Sequence, residues 1–151
     1  VEGEVGAIGA NGGGKGDTQI RYTDVTEADT YCRRTEVDAL AVAIGNAHGW
    51  YRGDPHLNFD VLRAIDRRLP VPLVLHGGTG LSETDFRKGV EFGIRKVNVA
   101  TAVFNSVEDS VRRMYADGRE SGYFELSEKE AEGAYDVARR HMRWFGCSGR
   151  A

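Results

Sequence analysis

Two of the four histidines in the sequence follow an apolar run and precede a glycine, a placement that suits metal binding. His48 comes after the apolar run 37–45, and His76 ends the run that begins at residue 71. Neutral imidazole is a common zinc ligand, and a catalytic zinc takes three protein ligands and keeps one position open. If both runs are parallel strands, their carboxyl ends share one edge, and the two rings form part of one zinc site. The alternative is that each ring is only a hydrogen-bonded residue at a strand end.

The remaining histidines are not assigned to this site. His56 lies at the entrance of a predicted helix, and His141 lies within the last predicted helix. A lone histidine in such a position is more often a surface residue than a ligand, so we predict that both are solvated.

Two short loops predict a phosphate-binding pocket. Gly77, Gly78 and Thr79 lead into a helix that Ser82 caps, and residues 98–101 follow the fourth apolar run. Bare backbone N–H groups near a helix N-terminus bind phosphate, and the last loops of a parallel barrel often do so. The alternative is that they are tight turns and no more. A metal beside a phosphate pocket suits a phosphorylated hydroxy-ketone whose enediolate the metal stabilises as a Lewis acid.

Two glutamates alternate with small residues in the first apolar run. Glu2 and Glu4 are separated by one residue, so in a strand both side chains face the same side. If that side is the interior of a barrel, one of them could reach the metal. The alternative is an exposed pair on an ordinary strand.

A glycine-rich stretch, residues 9–16, has part of the pattern of a nucleotide-binding loop. It fits the spacing GxxxxGK but lacks the Ser or Thr that binds Mg²⁺, and no helix pattern follows it. The sequence therefore disfavours a nucleotide-binding domain here. A mobile lid over the site is the better interpretation, because glycine runs allow large backbone swings.

Strand-like and helix-like patterns alternate along the chain. The predicted strands cover residues 1–9, 37–45, 71–77 and 95–101, and the predicted helices cover residues 24–35, 57–69, 82–93, 101–118 and 127–146. Ser82 with Asp85, and Ser127 with Glu130, have the spacing of a capping box. Alternation of this kind predicts an α/β fold with a parallel sheet, either small and doubly wound or half of an eight-stranded barrel. The start at Val1 inside a strand favours the half barrel, whose two open sheet edges would favour association with a partner.

Composition narrows the class of protein. The chain of 151 residues is 40% hydrophobic and 28% charged, with a net charge of -3. There is no basic excess to bind nucleic acid, no apolar run near the ~20 residues that cross a membrane, and no visible secretion signal. Cys32 and Cys147 lack metal-site or redox spacing, so we expect free thiols and a cytoplasmic location.

Taken together, these segments resemble the C-terminal half of class II (zinc-dependent) ketose-bisphosphate aldolases. The resemblance covers nearly all 151 residues and rests on VEGEVG, VDALAVAIGNAHGWY, VPLVLHGGTG, RKVNVAT and FGCSGRA. It implies a TIM (β/α)8 barrel in which residues 1–151 supply strands 5–8 and their helices within a single domain. The implied activity is reversible aldol cleavage of fructose- or tagatose-1,6-bisphosphate to dihydroxyacetone phosphate and glyceraldehyde 3-phosphate. The family's dimers and tetramers imply a homo-oligomer.

The resemblance also assigns roles to individual residues. It implies that His48 and His76 are two of three zinc ligands and that Glu4 serves a second, alternative metal position. A monovalent cation, Na⁺ or K⁺, near the phosphate loops is also implied. The implied substrate-binding residues are Gly49, Gly77, Gly78, Thr79, Asn98, Val99, Ala100, Thr101 and Arg150. Arg150 would reach a substrate phosphate across a subunit contact.

The sequence departs from the family pattern in two places. The family's third zinc histidine and its acid/base aspartate belong to the first half of the barrel, and no Asp-x-His pair occurs here. We therefore assign no catalytic acid or base and expect this segment alone to be inactive. The stretch after Glu4 also lacks the family's loop carboxylate, the first acid there being Asp17. The alternative function is a non-catalytic phosphate- or metal-binding fragment, or an accessory subunit of an aldolase.

Overall fold

The structure is a computed structural model that describes residues 1–8, 21–51, 55–116, 118 and 120–150. It divides into two compact units, Val1–Val99 and Ala100–Ala151. The predictions for the glycine-rich stretch 9–16 and for Asp17 fall outside the described residues.

The first unit is built on a four-stranded sheet whose strands follow the chain order and are all parallel. The strands are β1 (Glu2–Val5), β2 (Ala39–Val42), β3 (Leu73–Leu75) and β4 (Ile94–Val97). The connecting helices are α1 (Val25–Thr35), α2 (Phe59–Arg68) and α3 (Glu83–Glu91). The predicted order and the parallel sheet are confirmed, although each strand is shorter than its apolar run.

Each of these helices begins at a residue whose side chain satisfies free backbone N–H groups. Asp24 accepts from the second and third N–H groups of α1, and Asn58 accepts from the N–H of Val61 in α2. The predicted capping box of α3 is confirmed, because Ser82 and Asp85 each accept from the other's backbone N–H. Such caps contribute about 1 kcal/mol each.

The core lies between the sheet and the helices. Leu40, Leu73 and Ile94 from successive strands pack with Leu62 of α2 and Phe86 of α3, and all five are at most 1% exposed. Each such side chain contributes about 1.5–3 kcal/mol on burial. The two central strands are thereby held firmly, so the residues that follow them start from fixed positions.

The sheet is curved, with one concave face. Glu2 lies on edge strand β1 and Lys96 on edge strand β4, yet Nζ of Lys96 donates to Oε2 of Glu2 at 2.9 Å. Three strand spacings on a flat sheet would separate these strands by about 14 Å. The contact therefore requires that the two edges curl toward each other on the face that carries these side chains.

The second unit is a pair of helices, α4 (Thr101–Met114) and α5 (Tyr123–Trp144). The predicted start of α5 at Ser127 is wrong, because the helix begins four residues earlier, after Gly122. The N–H of Leu126 already donates to the carbonyl of Gly122, so the hydrogen-bond ladder runs through exposed Ser127. Ser127 and Glu130 have the spacing of a capping box, but both residues lie inside the helix.

The prediction that His141 is solvated is also wrong. His141 is 6% exposed, and its Nδ1 donates to the carbonyl of Val137 at 2.8 Å. It lies one helical turn after buried Val137, on the stripe of α5 that begins at buried Gly133. Burial lowers the pKa of this imidazole. The other prediction is confirmed, since His56 is exposed.

The described residues contain no helix with both the length and the apolar character needed to span a membrane.

Candidate active site at the carboxyl ends of the strands

The structure brings the two predicted zinc histidines together. His48 follows β2 and is exposed, His76 follows β3 and is half-buried, and their ring centroids lie 6.2 Å apart with planes inclined by 34°. Two imidazoles on one tetrahedral zinc have centroids about 5 Å apart, with an upper limit of about 6.4 Å when the rings oppose each other. The pair is therefore within reach of one ion, and the exposed ring of His48 has room to close the remaining ~1 Å.

Two side chains tie the loop after β2 to the loop after β3. Asn46 is 1% exposed; its Oδ1 accepts from the N–H of Ile44 at 2.8 Å, and its Nδ2 donates to the carbonyl of His76 at 2.9 Å. The hydroxyl of Tyr51 accepts from the N–H of Ala47 at 3.1 Å and donates to the carbonyl of Gly77 at 3.2 Å. Burial raises the pKa of Tyr51, so this hydroxyl keeps the proton that it donates.

Gly77 allows the two loops to approach each other closely. Its φ is +69°, and a Cβ added there would lie 2.1 Å from the carbonyl oxygen of Ala47. No larger residue fits this place without moving one of the loops. The glycine next to His76 therefore sets how near the two histidine loops can pack.

Glu2 and Glu4 face the same side of β1, as their alternation predicted, and both side chains contact His76. Oε1 of Glu2 lies 2.9 Å from Nε2 of His76, and Oε2 of Glu4 lies 3.3 Å from its Nδ1. Lys96 donates to the other oxygen of Glu2, and this hydrogen bond, followed by that from His76, lowers the pKa of Glu2. Nζ of Lys96 also donates to Oδ1 of Asn98 at 2.7 Å.

Sequence reasoning missed Lys96 altogether. The available signal was its alternation with Asn98 in RKVNV, which places both side chains on one face of a strand. That both lie on the concave face with Glu2 depends on sheet curvature, which the spacing does not reveal.

The predicted phosphate loops of the first unit are adjacent. The N–H of Asn98 donates to the carbonyl of Leu75 at 2.9 Å, and the N–H of Gly78 points to the carbonyl of Asn98 at 3.5 Å. Buried Gly78 lies against Val99, whose Cγ2 would be 3.1 Å from an added Cβ. Thr79 is 2% exposed, so this loop packs firmly against the unit.

The other predicted substrate-binding residues belong to both units. Gly49 is buried directly after His48. Ala100 and Thr101 belong to the second unit, where Ala100 precedes α4 without a side-chain cap and Thr101 is its first residue. Arg150 is exposed in that unit, and its backbone N–H donates to the carbonyl of Cys147.

The donor set fits zinc in chemistry and in part in geometry. Within the described ranges, no three His, Cys, Asp or Glu side chains are gathered closely enough to enclose a metal. Nδ1 of His76 and Oε2 of Glu4 are nevertheless 3.3 Å apart, close to the ~3.4 Å between two ligand atoms of a tetrahedral zinc. Two imidazoles and a carboxylate are ligands that zinc accepts.

Comparison with known proteins shows the family of the chain. Residues 1–150 match the family model described as class-II fructose-bisphosphate aldolase. The chain is 36% identical over 155 residues to 6-phospho-5-dehydro-2-deoxy-D-gluconate aldolase of Bacillus subtilis (strain 168), covering 100% of the chain and 52% of the relative. It is 35% identical over 153 residues to D-tagatose-1,6-bisphosphate aldolase subunit GatY of Klebsiella oxytoca, covering 99% and 54%. The chain thus spans about half the length of these curated relatives.

Solved structures give the same result. The YdjI aldolase of Escherichia coli K12 superposes with a TM-score of 0.82 at 31% identity, covering 99% of this chain and 50% of that one. The fructose-bisphosphate aldolase of Campylobacter jejuni superposes with a TM-score of 0.70 at 22% identity, covering 97% and 51%, which supports the fold alone. The family match over residues 1–150, the relatives and the strand-end histidines lead to one conclusion: this chain belongs to the class-II fructose-bisphosphate aldolase family.

Proposed function

We propose that the protein is a zinc-dependent aldolase that reversibly cleaves a ketose 1,6-bisphosphate, fructose or tagatose, to dihydroxyacetone phosphate and glyceraldehyde 3-phosphate. The observation that carries the proposal is that His48 and His76 lie side by side at the carboxyl ends of parallel strands, with Glu4 beside His76. Active sites of parallel α/β folds lie at this edge. The family to which the chain belongs supports the same chemistry.

We also propose that these four strands are part of a TIM (β/α)8 barrel, of which residues 1–151 form about the C-terminal half. The curvature that brings Glu2 and Lys96 within 2.9 Å across the sheet supports it, because closing a barrel requires a strongly curled sheet. On this proposal the cluster around His76 faces the barrel interior.

In the proposed site each residue has a definite task. His48 and His76 hold the zinc, and Glu4 offers a carboxylate at an alternative metal position. When bound, zinc acts as a Lewis acid toward the substrate carbonyl and hydroxyl. Gly77, Gly78 and Thr79, with Gly49 and Asn98 through Thr101, would bind the phosphate and hydroxy-ketone end. Arg150 would contact a substrate phosphate, and Na⁺ or K⁺ would lie near the phosphate loops.

The choice of substrate is narrowed by what the relatives' substrates share. One relative is named for D-tagatose-1,6-bisphosphate and another for 6-phospho-5-dehydro-2-deoxy-D-gluconate. In both molecules a ketone stands next to a phosphorylated carbon, which is the part that the proposed zinc and phosphate loops would bind. Binding and activation of the shared ketone and phosphate part is therefore tested first. The preference for the rest of the substrate is tested afterwards.

The first test uses dihydroxyacetone phosphate alone, in D₂O, with the intact protein, meaning the polypeptide that supplies both halves of the proposed barrel, stripped of metal and then given one equivalent of zinc. We expect zinc-dependent loss of the NMR signal of one C3 proton, and no exchange before zinc is restored or in His76→Ala. Glu108→Gln, which alters an exposed ion pair in α4, should exchange as the wild type does. No exchange by the zinc-loaded wild type would overturn the aldolase proposal.

The second test compares cleavage of fructose 1,6-bisphosphate, tagatose 1,6-bisphosphate and 6-phospho-5-dehydro-2-deoxy-D-gluconate. We expect the highest kcat/KM for one of the two bisphosphates, with triose phosphates as products. A higher kcat/KM for the gluconate derivative would contradict the proposed substrate and leave the proposed chemistry standing.

A second candidate is an accessory subunit of an aldolase. The name of the Klebsiella relative as an aldolase subunit favours keeping it. An accessory subunit would fail the exchange test by itself, with zinc bound or not, and would raise the activity or stability of a separate catalytic chain.

We further propose that the protein is a homo-oligomer, a dimer or tetramer, of the cytoplasm. Phe104, Tyr123 and Phe124 of the second unit are 70%, 76% and 82% exposed, more apolar surface than a helix pair usually leaves in water. Cys32 and Cys147 are free thiols, which suits a reducing compartment. Light scattering of the intact protein tests the first point, and a monomer at micromolar concentration would contradict it.

A further inference from the structure

A continuous chain of polar contacts connects the loop after β4 to His76. It runs from Oδ1 of Asn98 to Nζ of Lys96 at 2.7 Å, from Nζ to Oε2 of Glu2 at 2.9 Å, and from Oε1 of Glu2 to Nε2 of His76 at 2.9 Å. The participants come from β1, β4 and the loops after β3 and β4. Only the curvature of the sheet brings them together, so the chain depends on the fold as a whole.

The two carboxylates on His76 make different contacts. Glu2 meets Nε2 at hydrogen-bond distance, and its second oxygen is held by Lys96. Glu4 is more exposed, 42% against 29% for Glu2, and its oxygen lies 3.3 Å from Nδ1. The first contact has the length of a hydrogen bond, and the second has the length of an edge between two ligands of a tetrahedral zinc, about 3.4 Å.

We infer that Glu2 and Lys96 are positioning residues for the metal site. Glu2 accepts a hydrogen bond from the N–H at Nε2 of His76, which leaves the lone pair on Nδ1 and turns that nitrogen toward Glu4. Lys96 fixes Glu2 by holding its other oxygen, and in doing so ties the carboxylate to Asn98. Carboxylates that orient a ligating histidine in this way raise its basicity and fix its tautomer.

The inference rests on the proposed function, and it predicts how two substitutions combine. Glu2→Leu removes the acceptor from Nε2 and should weaken zinc binding about 10- to 100-fold. Lys96→Met leaves the carboxylate present but unanchored and should weaken binding by less, about 3- to 10-fold. Because Lys96 acts through Glu2, the double variant should bind zinc no more weakly than Glu2→Leu alone.

The experiment measures zinc affinity of the intact protein by competition with a chromophoric chelator, together with the visible spectrum of the cobalt(II)-loaded protein. Glu2→Gln keeps an acceptor for Nε2–H and should recover most of the affinity that Glu2→Leu loses. Glu108→Leu and Lys129→Met, which alter exposed ion pairs in the second unit, are the matched controls and should bind as the wild type does. Urea unfolding of every variant separates loss of folding from loss of orientation.

The outcomes distinguish this inference from the proposed function. A changed cobalt spectrum and weaker zinc binding in Glu2→Leu, with non-additivity in the double variant, support positioning. Wild-type affinity and spectrum in Glu2→Leu, or additive losses in the double variant, would overturn it while the aldolase proposal stands. A wild-type protein that binds no zinc would instead contradict the proposed function.

Discussion

His48 and His76 end neighbouring strands and look alike in the sequence, but the structure holds them differently. The His76 side chain is 16% exposed, is flanked by Glu2 and Glu4, and has its carbonyl held by Asn46. His48 is exposed and sits on a loop fixed through the hydroxyl of Tyr51. The strand pattern sets where each ring begins, whereas residues up to 74 positions away in the sequence decide whether that ring is fixed.

The largest effect is expected from removing each ring. His76→Ala and His48→Ala should each weaken zinc binding more than about 100-fold, beyond the range of changes to outer residues. Only His76→Ala should also lower the free energy of unfolding, by about 1–3 kcal/mol, because it removes the ring that contacts Oε1 of Glu2 and Oε2 of Glu4. His48→Ala should stay within about 0.5 kcal/mol of the wild type. Chelator competition measures zinc affinity, and urea unfolding measures stability. Equal losses of stability in the two variants would contradict the claim that only the ring of His76 is fixed by its neighbours.

The next effect concerns the distance between the two loops. Gly77→Ala places a methyl group against the carbonyl of Ala47 at a positive φ, and should cost about 2–4 kcal/mol of unfolding free energy. Gly78→Ala is the matched control, because its Cβ would meet side-chain atoms at 3.1 Å or more and should cost less. Urea unfolding of the two variants tests the order. A Gly77→Ala protein as stable as the wild type would contradict the close packing of the loops.

A smaller effect is expected from the hydroxyl that joins the loops. Tyr51→Phe leaves the partly buried N–H of Ala47 and the carbonyl of Gly77 without this partner, and should cost about 1–2 kcal/mol. Tyr135→Phe, at an exposed position of α5, should cost almost nothing. If the thermal midpoints of the two variants agree, the hydroxyl does not hold the loops together.

The smallest effect concerns a third histidine, His141, and the pH dependence of stability. His141 is buried against Trp144 and Phe145, and burial lowers its pKa. As pH falls below the ordinary value of 6.5, the unfolded chain takes up a proton that the buried ring resists, so unfolding free energy falls. His141→Phe should reduce the loss of stability between pH 7.5 and 5.5, and His56→Gln should not. Identical pH profiles for His141→Phe and wild type would contradict this.

Several features of the fold follow directly from the sequence. The alternation of apolar runs and amphipathic segments gives the order of strands and helices, and Ser82 with Asp85 gives the start of α3. The glycine after each strand-end histidine pointed to the edge at which His48 and His76 meet. These signals are local, because each depends on residues within one strand or one helical turn.

The remaining features depend on contacts that local patterns do not encode. The pairing of Glu2 with Lys96 needs the curvature of the whole sheet, and the burial of His141 needs the stripe of α5 that packs inward. The start of α5 at Tyr123 was hidden because Ser127 imitates a cap that the helix does not use. In each case the role of a polar residue depends on contacts that the local pattern does not reveal.

The central claim is that His48 and His76 bind one zinc ion. Its most direct test is an anomalous difference map, collected at the X-ray absorption edge of zinc from crystals of the intact protein loaded with zinc. We expect one strong peak for zinc between the rings of His48 and His76, on the side of His76 that faces Glu4. A strong peak elsewhere, with neither imidazole nitrogen within about 2.3 Å of it, would contradict the account.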